Sequence, residues 1–195
     1  MKQKHARLDE VLDYWLGPPD GAGCYPWREI WFKVVPEFDA ELRAKFLAHH
    51  EEAAAGHYDD VADTPFRALA LLILLDQIPR NIFRGTPRMY ATDAKALAIA
   101  QHAVARGFDM RVHHVPRTFF YTPVEHSEDM AIQRRSLELV LRRNESPRYE
   151  DSLYVIRRHA EIVERFGRFP HRNTILGRVS TPEEIEFLKE KDSSF

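Results

Sequence analysis

Apolar residues along the chain recur with the period of α-helices. Leu8, Val11, Leu12, Trp15 and Leu16 fall three and four apart, so they share one stripe, and Gly17-Pro18-Pro19 stops that helix at once. A loop of Gly, Pro and aromatic residues continues to about Pro36. Pro36 suits the first turn of a second helix, whose face is Phe38, Leu42, Phe46 or Lys45, and Leu47, with Gly56 closing it. Thr64-Pro65 predicts an N-cap followed by proline at the first helical position. From Phe66 to Ile78 the pattern is apolar nearly all round, which predicts a helix buried in the middle of the fold. Its Leu and Ala richness without valine favours helix over a buried strand. Pro79 should end or kink it, leaving Asp76 and Gln77 at its C-terminal end and Arg80 just beyond.

Thr92-Asp93 predicts the cap of a fourth helix through Ala94, Ala96, Leu97, Ile99, Ala100, Ala103 and Val104, stopped by Gly107. Pro123 is expected to start a fifth, with His126, Met130, Gln133, Leu137 and Val140 or Leu141 on one face. A sixth runs from about Ser152 to Phe166, with Leu153, Ile156, Ala160, Val163 and Phe166 inward. Thr181-Pro182-Glu183-Glu184 reads as a capping box that opens a short closing helix through Ile185, Phe187 and Leu188. No segment alternates as a strand would, and no internal repeat stands out. The expectation is an all-α fold of packed antiparallel helical hairpins forming a single domain over 1–195.

Composition narrows the partners. With 44% hydrophobic and 30% charged residues the chain can bury a core, and a formal net charge of -2 argues against nucleic acid as a partner. Cys24 is the sole cysteine, which excludes an intramolecular disulfide and a cysteine-based zinc cluster and fits a reducing compartment. The start of the chain turns acidic without an apolar stretch, unlike a secretory signal, and the longest apolar run, Ala68 to Leu75, is too short to span a bilayer. A cytoplasmic protein with no membrane partner is expected; its oligomeric state is not fixed by these patterns.

Three segments carry groups that are costly to bury. In Asp76-Gln77-Ile78-Pro79-Arg80-Asn81-Ile82-Phe83-Arg84-Gly85, a carboxylate and two guanidiniums lie four apart. They form either an ion pair that holds a helix end or a fork for a carboxylate or phosphate. In Tyr121 to Asp129, the acidic residues Glu125, Glu128 and Asp129 suit the first turn of a helix, whereas His126 and Gln133 point along the apolar face and need partners. His159 is three residues after Ile156 and four before Val163, on the buried face of the sixth helix. With Asp76 or Glu125 nearby, two inward histidines would supply metal-ligand types, but no His-x-x-x-His or Glu-x-x-His spacing surrounds them, so no metal and no cofactor is assigned. The third segment, Gly167-Arg168-Phe169-Pro170-His171-Arg172-Asn173 on to Leu176-Gly177-Arg178, is a rigid turn. It is either structural or a cationic cluster for an anion. One unpaired buried charge costs about 3 to 5 kcal/mol, so its excess arginine calls for the acidic segments or for a ligand.

These segments, with Ser180-Thr181-Pro182-Glu183-Glu184, resemble in order and over most of the chain the uncharacterised bacterial family called domain of unknown function 924. The resemblance implies an all-α superhelix similar to tetratricopeptide-like helical hairpins and implies no established activity. It groups Asp76, Arg80, Asn81, Arg84, His126, Glu128, His159, Arg168, His171, Arg172, Asn173 and Arg178. Glu125 stands outside, because the family often has an apolar residue before its His-Ser-Glu, where this chain has Val124-Glu125.

Two functions compete. In the first, the three segments line one pocket for a small anionic molecule, with Arg80, Asn81, Arg84, Arg168, His171, Arg172, Asn173 and Arg178 as ligand-binding residues. Any hydrolase or lyase chemistry would use His126 or His159 for proton transfer and Asp76 or Glu128 to orient it. No nucleophile motif selects a reaction: Ser127 has no elbow, and Cys24 is remote in sequence. In the second, the chain is an interaction scaffold that takes a peptide, and the polar segments are internal struts. The arginines discriminate: convergence toward solvent indicates a pocket, and pairing with buried carboxylates indicates struts.

Overall fold

The computed structural model describes residues 2–143 and 146–195; Met1, Asn144 and Glu145, which the expected domain takes in, lie outside the described residues. Among the described residues there are nine α-helices and no strand: α1 (Lys2–Leu16), α2 (Pro36–Ala54), α3 (Pro65–Leu72), α4 (Ile78–Ile82), α5 (Asp93–Ala105), α6 (His114–Glu125), α7 (Met130–Val140), α8 (Tyr149–Phe166) and α9 (Pro182–Phe187). The all-α expectation holds. The chain packs as two compact units, one comprising the residues up to Arg84 and Arg88–Pro123, the other Gly85–Pro87 and Val124–Phe195.

In the first unit α1 packs on α3, α2 on α4, and α5 on α3. The expected stripe of α1 is buried in full, and Gly17 ends the helix with φ +72, a left-handed conformation that costs glycine little. The aromatic loop that follows folds back over that end. Arg28 Nη1 donates to the Tyr14 and Trp15 carbonyls, 2.7 Å each, and Trp31 Nε1 donates to Trp15 at 2.9 Å. Carbonyls that helix geometry leaves open are thereby satisfied.

The apolar run is a buried helix, as its pattern predicts, but Pro79 does not end it. α3 passes through one π turn, Ile73–Gln77, into α4, with the Ile78 amide bonded to the Ile73 carbonyl. The physical reason is the missing amide of Pro79: neither the Leu74 nor the Leu75 carbonyl can be served by it, and a wider turn relieves the clash of its ring. Side chains from other helices cap these groups instead. His50 Nδ1 lies 2.8 Å from the Leu74 carbonyl, which fixes Nδ1 as the protonated nitrogen, and Thr92 Oγ1 donates to Leu75 at 2.5 Å. The Asp76 carbonyl accepts from Arg80 Nη1. Thr92 is therefore not a side-chain cap of its own helix, contrary to the sequence reading, because its hydroxyl is engaged at Leu75.

A second correction concerns Pro123. It lies near the end of α6, and α7 begins only at Met130, capped by Asp129, whose Oδ1 accepts the Ala131 and Ile132 amides at 2.7 and 3.3 Å. The residue before Pro123 offers no cap, since the Thr122 hydroxyl already takes a bond from Gln77 at 3.2 Å. His126, Ser127 and Glu128 thus occupy a turn rather than a helix face. Gln133 is buried as expected and holds that turn, its Nε2 donating to the Glu125 and Ser127 carbonyls at 2.8 and 2.6 Å.

In the second unit α7 packs on α8. Its core is Ile162, Val163, Phe169 and Phe187, with Met130 and Phe166 against it. Gly167 closes α8 at φ +66 and bonds the Val163 carbonyl at 2.8 Å, turning the chain into Phe169-Pro170. The capping box forms as its sequence requires: Thr181 Oγ1 accepts the Glu184 amide at 3.1 Å, and Glu184 Oε2 accepts the Thr181 amide at 2.7 Å.

Candidate functional site

Asp76, Arg80, Asn81 and Arg84 belong to the first unit, and the remaining candidates to the second. Asp76 is fully buried; its carboxylate accepts from Gln77 Nε2 at 2.6 Å and lies 3.3 Å from Arg80 Nη1. Arg80 in turn forms two parallel bonds to Asp93, 3.0 Å each. Burial works against its charge, but Asp76 and Asp93 outweigh that and raise its affinity for the proton. Arg84 makes the same fork to Asp39 at 2.7 and 3.1 Å, and Asn81 Nδ2 donates to Asp39 at 2.7 Å. These groups are matched from within the chain.

Two arginines of the second unit behave alike. Arg168 forks onto Glu184 at 2.6 and 2.8 Å, and Asn173 Nδ2 adds a bond of 3.2 Å to the same carboxylate. Arg168 foremost, with the Thr181 amide and Asn173, holds the Glu184 carboxyl down at about 2. Arg178 forks onto Glu128 at 2.7 and 3.0 Å, and Glu128 Oε1 also accepts the Phe169 amide at 2.8 Å. Burial opposes the Glu128 charge, but these bonds prevail and lower its pKa.

The other candidates gather around two aromatic rings. The Arg172 guanidinium lies 4.5 Å from the centre of the Phe169 ring, His159 meets that ring edge-on at 5.4 Å, and His171 lies 5.7 Å from it. His126, in its turn, is 6.3 Å from His159. His159 is buried, and its Nδ1 is 2.8 Å from the Val155 carbonyl, so Nδ1 carries the proton and Nε2 is the acceptor. Burial pushes its pKa down to about 3; the neighbouring His126, Arg172 and His171 push the same way, and only the Val155 carbonyl opposes. At pH 7 it is neutral. The Phe195 ring stacks on it, 3.9 Å between centroids and 24° between planes.

Sequence reasoning missed the partners of the arginines. Asp39 drew no reading, Asp93 reads only as a helix start and Glu184 only as a capping-box member, yet four arginines in apolar surroundings demand carboxylates somewhere. His50 and Phe195 were missed because neither lies in one of the three segments. A shallow depression of about 280 Å³ in the first unit, lined by Gln3, Lys4, Arg7, Glu52, His57 and Tyr58, contains none of the expected residues. Among the described residues no group of three or more His, Cys, Asp or Glu side chains is arranged to hold a metal ion. Nor is any helix there long and apolar enough to cross a membrane.

The model of a family described as bacterial protein of unknown function, DUF924, matches residues 11–192. Among solved structures the chain is similar to a protein of unknown function from Agrobacterium tumefaciens, at 40% identity and a TM-score of 0.83, over 95% of this chain and 98% of that one. No curated protein matches it.

Proposed function

The chain belongs to the bacterial DUF924 family of unknown function, and on the geometry of its second unit we propose that it binds a small anionic molecule at the cluster of His126, His171 and Arg172 beside His159 and Phe169. The observation that carries this reading is the gathering of three imidazoles and a guanidinium there, while Arg168 and Arg178 are each taken up by a carboxylate. Arg172 acts on Glu128 from a distance, and Arg178 forks onto that carboxylate. A planar guanidinium such as that of Arg172 suits a carboxylate or a phosphate.

For hydrolase- or lyase-type proton transfer the cluster favours His126 over His159. His126 is half-buried in a turn, whereas His159 carries no second proton at neutral pH and spends its Nδ1–H on Val155. Glu128 orients Arg178 and the Phe169 amide rather than an imidazole. The scaffold reading, in which polar groups are struts, is favoured for Arg80, Arg84, Arg168 and Arg178 by their forked carboxylate pairs, and for Asn81 and Asn173 by their bonds to the same acids.

A thermal-shift screen of carboxylated and phosphorylated metabolites on wild type and Arg172→Ala tests the proposal. A ligand at one hundred times its dissociation constant is expected to stabilise the wild type by about 2.7 kcal/mol and to leave the variant unmoved. No shift with any compound, together with a large loss of stability in the variant, would make Arg172 a strut as well.

A further inference from the structure

We infer that the face of His159 covered by Phe195 is a subsite for an aromatic ring, so that the anion bound by the second unit is a small aryl carboxylate whose ring takes the place of the Phe195 side chain. This rests on the anion-binding reading and adds the ligand class to it. Phe195 lies against the His159 face at 3.9 Å and makes a T-shaped pair with His171 at 6.3 Å and 74°. Beneath, Phe169 stands edge-on to His159. The geometry is that of a ring stacked on one imidazole and T-shaped to a second, the arrangements that aromatic quadrupoles favour. Yet Phe195 is half exposed, so the seat opens to solvent on its other side.

The seat is suited to a ring rather than to a charge. The Nδ1–H of His159 is given to Val155, and its burial keeps the imidazole neutral, so it presents a fixed π face. The groups that attract an anion flank it: His171, T-shaped to the occupying ring, and Arg172 over the adjoining Phe169. Phe195 reaches its place from a segment clamped upstream, where the Tyr154 hydroxyl bonds Asp192 Oδ2 at 2.7 Å, Arg158 Nε bonds the Asp192 carbonyl at 3.1 Å, and Ser193 Oγ bonds the Leu188 carbonyl at 3.2 Å. Those anchors do not involve the Phe195 ring, so the ring can leave while the segment stays docked.

Titration of phenylacetate, acetate and benzyl alcohol into wild type, Phe195→Ala and the double variant Phe195→Ala/Arg172→Ala, followed by calorimetry and by the NMR signals of the His159 ring, tests the inference. Removing the half-exposed ring is expected to tighten phenylacetate binding at least tenfold, with acetate binding equally to wild type and Phe195→Ala. Phenylacetate and benzyl alcohol, but not acetate, should shift the His159 ring protons in Phe195→Ala. Equal phenylacetate affinity in wild type and Phe195→Ala, lost with Arg172, would overturn the aromatic seat and leave anion binding standing. Benzyl alcohol binding that gains from Phe195→Ala and survives loss of Arg172, with no acetate binding anywhere, would keep the seat and remove the anion. Silence of all three probes would overturn both.

Discussion

The turn around Pro79 in the first unit and the turn around Pro170 in the second are both rich in arginine, yet they settle their charges differently. Around Pro79 each strong donor meets an acceptor on a neighbouring helix: Arg80 meets Asp93, Arg84 and Asn81 meet Asp39, and Thr92 and His50 meet the carbonyls that the proline leaves open. Around Pro170 two arginines are settled in the same way, but His126, His171 and Arg172 gather near His159 and add to the burial that lowers its pKa. A polar run in an apolar context therefore has two meanings. In one kind the partners are carboxylates far away in sequence; the other gathers like groups, the arrangement on which the anion-binding proposal rests.

The largest expected effect tests the strut side. Arg80→Ala leaves the buried Asp76 and its neighbour Asp93 without their common cation and is expected to cost about 3 to 5 kcal/mol in urea unfolding. A loss below about 1 kcal/mol would erase the contrast between the two turns. Next comes acid sensitivity of the cluster. The folded pKa of His159, about 3, lies below its unfolded value near 6.5, so between those values the unfolded chain binds more protons and stability falls as pH is lowered. From pH 7 to pH 5 that single group is expected to remove about 2 kcal/mol, and His159→Gln should lack this increment. Burial lowers the His50 pKa too, so the difference between wild type and variant, not the slope of wild type alone, is the measure. An identical pH dependence in both would remove the electrostatic distinction of the second turn. The smallest effect probes the carbonyl caps: Thr92→Val is expected to cost about 1 to 2 kcal/mol by orphaning the Leu75 carbonyl, read as a lowered urea midpoint with unchanged slope.

Much of the fold is legible in the chain because its helices announce themselves at both ends. The stripe of α1, the proline starts of α2, α3 and α9, the capping box at Thr181 and the glycine stop of α8 all follow from local chemistry. Two expectations meet a proline. Pro79 is expected to end or kink its helix and Pro123 to start one; the chain instead passes Pro79 by way of a π turn, and α6 runs two residues past Pro123. Both outcomes involve residues distant in sequence, such as Thr92 and Gln77, and so carry no local signal. The same holds for the candidate residues. Burial of His159 is legible from helical spacing, whereas the pairing of Arg84 with Asp39, 45 residues away, is not.

The π turn at Ile73–Gln77 also sets a phase. One residue beyond the α-helical count advances everything downstream by about 100° around the helix axis. Arg80, Asn81 and Arg84 therefore face azimuths that an uninterrupted helix from Pro65 would not give them, and it is from these that they reach Asp93 and Asp39. Deleting a single residue within the turn would rewind the helix and aim all three elsewhere without altering any of them. Pro79, through the turn that its missing amide calls for, thus acts as the indexing mark by which the first unit aligns its ion pairs.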